Sequence, residues 1–177
     1  MAKRNPTAEA APYLTGPAYA VALLFVLFPL MDTVAQVWPL GLDSPSWRYG
    51  AVGIGANYLI SALFGMLGLC LVAALRQHRR TLLGLALLSA LGALLLLVGA
   101  LAFSLDVLQV RAGVPRDDPR TRWLFDVGAA KAALKYLVGA GLLAWLGLMG
   151  WKAGRSIARP GLDAEEETPR LVSKQQK

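Results

Sequence analysis

WLFDVGAAKAALKYLVGAGLLAWLGLMGW, residues 123–151, decides the fold. At 1.5 Å of rise per residue it is long enough as a helix to cross a ~30 Å hydrocarbon layer, and it carries tryptophan at both ends, as interfacial anchoring favours. Three charges interrupt it, all in its first half: Asp126, Lys131 and Lys135. A lysine inside lipid costs about 3 kcal/mol on insertion scales, so the stretch predicts acidic neighbours.

The rest of the chain repeats this pattern. Its 177 residues are 56% hydrophobic, and the apolar residues fall in four blocks separated by charged punctuation, which is not how an aqueous core is written. The fold class read from this is all-α: an integral membrane protein built as a four-transmembrane-helix bundle. Helices are expected at about 13–38, 45–76, 81–110 and 119–158, forming one domain over 13–158. Residues 1–12 and the charged tail 159–177 are polar and expected to be disordered. Pro29 removes a hydrogen bond within the first helix and predicts a kink there. Ser44-Pro45 and Asp118-Pro119 each place an N-cap before a proline, so the second and fourth helices are expected to start at these points. Trp38, Trp47 and Tyr49 cluster at one boundary, as an interfacial aromatic belt would. A signal peptide ending near Ala35 is the rival reading of the first block, but Lys3 and Arg4 stand far from its apolar core.

The net charge of +7 could suggest nucleic acid, yet the cations sit mostly at the block ends, where membrane orientation explains them. No nucleic-acid partner is expected. With both termini inside, eleven Lys and Arg lie on the inner side, against five outside: Arg48, Arg111, Arg116, Arg120 and Arg122. This bias predicts cytoplasmic termini. The richness in Ala, Gly, Leu and Arg hints at a bacterial source, hence an inner (cytoplasmic) membrane.

Depth then follows from position along each helix. Asp32, Asn57, Asp106, Lys131 and Lys135 all fall in the outer half, and form a candidate intramembrane polar cluster. Lys131 and Lys135 are one turn apart and share a helix face. Asp126 lies four residues after Arg122, predicting an interfacial ion pair between these two. Asp32 and Asp106 remain to neutralise the two lysines. The second helix also carries Gly53, Gly55, Gly65 and Gly68, read first as a close-packing surface.

No catalytic, cofactor or metal site is predicted. There is no HExxH, GxSxG or Walker loop. Cys70 is the single cysteine and reads as a small buried hydrophobe, while the single histidine, His78, stands in the basic turn Arg76–Arg80 at the opposite end from the polar cluster. The expected partners are the bilayer and either another protein or further copies of the chain. The functional expectation is a non-enzymatic interaction or accessory subunit of a membrane assembly. The alternative is a small transporter or channel passing an anion or protons through the Lys131/Lys135 pocket.

Overall fold

The computed structural model describes residues 6–115 and 118–157. It is all-helical in these residues: α1 (Pro6–Val37), α2 (Pro45–Leu75), α3 (Arg79–Ala112) and α4 (Pro119–Ser156). All four are long and apolar enough to cross a membrane, the architecture of a multi-pass membrane protein. Antiparallel succession puts the α1–α2 and α3–α4 connections together, here called the Arg48 end. The α2–α3 turn marks the other, the Arg76 end.

Two starts follow the cap-then-proline signal. Ser44 Oγ accepts from the Trp47 N–H at 3.3 Å, with Pro45 in the first helical turn. Asp118 accepts from the N–H groups of Arg120 and Thr121, both at 3.1 Å, and Pro119 follows. α1 differs from expectation, since its helix begins at Pro6 rather than Tyr13. Ala8, Ala10 and Ala11 are strong helix formers and carry the helix back through part of the segment read as disordered. The helix also continues through Pro29, whose carbonyl accepts from the Thr33 hydroxyl at 2.7 Å. The expected tail, 159–177, lies outside the described residues.

The α2–α3 turn closes as a Schellman motif. The His78 N–H reaches the Ala73 carbonyl at 2.9 Å and the Gln77 N–H reaches Ala74 at 3.1 Å, with Gln77 in the left-handed region at φ 53°. From this turn His78 touches α1, its Nδ1 lying 3.0 Å from the Tyr19 hydroxyl.

The four helices do not share one axis. α2, α3 and α4 pack mutually, whereas α1 runs along α2; among the described residues its Cα atoms stay beyond 8 Å of α3 and α4. Small residues set both main contacts. A Cβ on Gly65 would sit 2.7 Å from the Ala22 carbonyl oxygen and 2.6 Å from a Val26 methyl, so the α1 backbone crosses directly over this glycine. On the other side, a Cβ on Gly147 would lie 3.1 Å from the Ala86 carbonyl oxygen, and Gly150 faces Ala86 as well. Gly65 and Gly68 are thus packing positions, as expected of the second-helix glycines. Gly53 has open space before it and borders a cavity instead.

Candidate functional site

The charged residues gather at the Arg48 end, but with partners that differ from those read in the sequence. Asp106 of α3 is buried, 4% exposed, and receives the Arg48 guanidinium on both oxygens: Nε at 3.1 and 3.0 Å, and a terminal nitrogen at 2.6 Å. The remaining arm of Arg48 donates to the Leu42 carbonyl at 2.7 Å. Beside it, the Trp47 indole N–H donates to the Val37 carbonyl at 3.1 Å, tying the α1–α2 connection down. A planar guanidinium can satisfy a carboxylate two-handed in a way an ammonium cannot, so Asp106 goes to Arg48 and not to the lysines.

The second predicted pair also changes hands. Asp126 receives Arg111 from the end of α3 at 2.7 Å, with both side chains half exposed. Arg122 has its Nε buried without a hydrogen bond among the described residues. Within a helix, a base four residues before an acid is the weaker orientation of this pair, and Arg111 reaches across from the neighbouring helix instead.

Asp32 does not reach the lysines either. It is exposed on α1, lining a depression with Tyr58 and Ser61 of α2, and α1 has no contact with α4. Among the described residues it has no ion pair. Gln36, one turn along α1, hydrogen-bonds the Tyr58 hydroxyl.

Lys131 and Lys135 therefore stand together without an acid among the described residues. Lys135 Nζ donates to Asn57 Oδ1 at 3.0 Å, and Lys131 is exposed one turn nearer the Arg48 end. Both border a cavity of about 320 Å³ between α2 and α4, whose other walls include Tyr49, Gly53, Asn57 and Phe103. Asn57 contributes a neutral carbonyl, which solvates one ammonium and neutralises neither. Below Lys135 the groove continues as a second cavity of about 410 Å³, walled by Leu59, Leu63, Leu134, Val138 and Trp145. The lysine pair caps an apolar furrow.

Two residues at this end have roles that position along the chain does not give. Tyr49 is not a belt residue: its ring stacks between Phe103 at 5.4 Å and Phe125 at 4.9 Å, joining α2, α3 and α4. Position along the chain gives Arg48 only as an outer charge. Its place in the first turn of α2, at the same end as Asp106, was the signal that could have paired them.

The site offers cationic recognition. Among the described residues no group of three or more His, Cys, Asp or Glu could hold a metal ion, and Cys70 is buried between α2 and α3 at the other end. Clear of the spans, the Asp118 carboxyl is held below the usual range chiefly by the Thr121 hydroxyl at 2.5 Å, aided by the Thr121 and Arg120 N–H groups. Set against protein families, curated proteins and solved structures, the chain finds no match.

Proposed function

We propose that this chain is a non-catalytic, multi-pass membrane protein that works by docking, as an interaction or accessory subunit of a membrane assembly. It sits in a bacterial inner membrane with both termini cytoplasmic, the orientation favoured by the Lys and Arg bias, so the Arg48 end faces outward. The observation that carries this reading is the unbalanced pair: Lys131 and Lys135 have no acid among the described residues, because Arg48 occupies Asp106 and Arg111 occupies Asp126. Basic side chains at membrane depth with no acid among the described residues call for a partner outside the chain.

Native mass spectrometry of the protein, extracted gently from its own membrane, tests this. A complex that survives for the wild type and is lost for Lys131→Leu/Lys135→Leu is the expected result. A lone chain for both would overturn it. The transporter alternative draws on the same cavity, and is tested by anion or proton flux in liposomes. It is less favoured because the furrow below Lys135 is walled by leucine, valine and tryptophan, with no polar side chain to continue a path.

A further inference from the structure

Exposed leucine and phenylalanine on these helices are what lipid-facing surfaces look like, so apolar faces alone identify no partner. Charge does. Within the polar cluster, Asp32 of α1 and the pair Lys131 and Lys135 of α4 have no ionic partner among the described residues. They lie at matching depth: Tyr58 meets the Gln36 turn that follows Asp32, while Asn57, the residue before Tyr58, accepts from Lys135. The offset is within about one helical turn, or ~5 Å.

They are also placed symmetrically about α2. Gly65 and Gly68 receive α1 on one side of α2, and Leu59, which meets Gly139, receives α4 roughly opposite. α1, α2 and α4 thus form a row, with α3 behind α2 and α4. The front of the row is the stripe Ile60, Phe64, Leu67 and Leu71, all exposed. Phe64 borders both the α2/α4 furrow and the α1/α2 furrow, so the two open on the same face.

We infer that the occupant of this face is a second copy of the chain, in a twofold dimer whose axis runs along the membrane normal beside α2. This rests on the docking role proposed above and names the partner. A twofold rotation sets α2 against its own copy and brings α1 of each chain opposite α4 of the other, running antiparallel. Asp32 of one copy then faces Lys135 of the second, with Lys131 one turn beyond, and the same contact recurs on the other side of the axis. An isologous interface requires this self-complementarity: acid and base at one depth, flanking a common centre. In the single chain Asp32 and Lys131 are exposed and Lys135 has only the Asn57 amide; in the dimer each acid meets a base and the furrows are filled by the partner's side chains.

The test is a charge exchange, read by energy transfer between donor- and acceptor-labelled copies in phosphatidylcholine liposomes at varied protein-to-lipid ratio. Asp32→Lys alone and Lys131→Asp/Lys135→Asp alone should each weaken self-association at least tenfold. Mixed, the two variants should associate as a heterodimer, because one contact is then native, Asp32 against unchanged lysines, and the other is restored with its two charges exchanged. A second readout leaves the charges intact. In a Cys70→Ala background, Phe64→Cys should cross-link to itself under mild oxidation, whereas Leu95→Cys on the outer face of α3 should not. A wild-type monomer at every ratio, no rescue on mixing, or cross-linking through Leu95→Cys in place of Phe64→Cys would overturn the dimer. If the wild type is monomeric yet recovered from its membrane with a different protein through the lysines, the second copy is wrong and the docking role stands. If it is recovered only with anionic lipid on Lys131 and Lys135, both fall.

Discussion

Two cationic systems stand within a few turns of each other at the Arg48 end, and they differ in one respect. Arg48 has a buried carboxylate that it grips with three nitrogen–oxygen contacts, and it spends its last arm on the Leu42 carbonyl. Lys131 and Lys135 have an amide oxygen between them. The first arrangement closes within the chain and holds α2 to α3. The second stays open towards the α2/α4 furrow. In the proposed reading, charge balanced inside the chain is architecture, while charge left over is an interface.

The comparison breaks most visibly at Asp106. Asp106→Ala should leave the Arg48 guanidinium, about 34% exposed, without its buried carboxylate and lower the unfolding midpoint in detergent or lipid by several °C. Replacing both, Arg48→Leu/Asp106→Leu, should recover most of the loss, because no charge is then stranded. A double variant as unstable as the single one would mean that Arg48 and Asp106 act separately.

Gly65 tests whether Asp32 depends on α1 being held by α2 alone. Gly65→Ala puts a methyl into the Ala22 carbonyl and should cost on the order of 1–3 kcal/mol. Limited proteolysis should show α1 released before the α2–α3–α4 core, whereas uniform loss of all four helices would contradict the separate docking of α1.

The smallest effect is expected at Asp118, a charge satisfied locally and outside the spans. Its folded pKa is depressed, so the cap contributes stability that is fully present above the unfolded carboxyl value, about 3.9, and is lost as pH falls through that value and past the folded one. Helix content at the α4 start should therefore fray below pH ~4 in the wild type. In Asp118→Asn, which caps without titrating, it should change less. Equal pH dependence in both would remove the carboxylate from the account.

Much of the fold was legible because it is written along one dimension. Block length set the four spans, Ser44-Pro45 and Asp118-Pro119 set two helix starts, and the position of each polar residue along its helix put Asp106, Asn57, Lys131 and Lys135 at one end. Lateral neighbourhood was not legible. Nothing in the spacing of Asp32 reveals that α1 packs along α2 with its backbone away from α3 and α4, and nothing around Tyr49 reveals that Phe103 and Phe125 sandwich its ring. The helical backbone over residues 6–12 was missed because polarity outweighed the alanines there. The partner of Asp106 was missed because depth matching treats Arg48 and the lysines alike, and only guanidinium geometry separates them.

The central claim is that Lys131 and Lys135 are not part of what holds the single chain together. Thermal unfolding of the isolated protein in neutral lipid, at a dilution where copies do not meet, compares Lys131→Leu/Lys135→Leu with Asp106→Ala. The lysine variant should unfold at or above the wild-type temperature while the aspartate variant falls well below it. A lysine variant that unfolds as early as Asp106→Ala would contradict the claim and make the cluster a structural element of the chain.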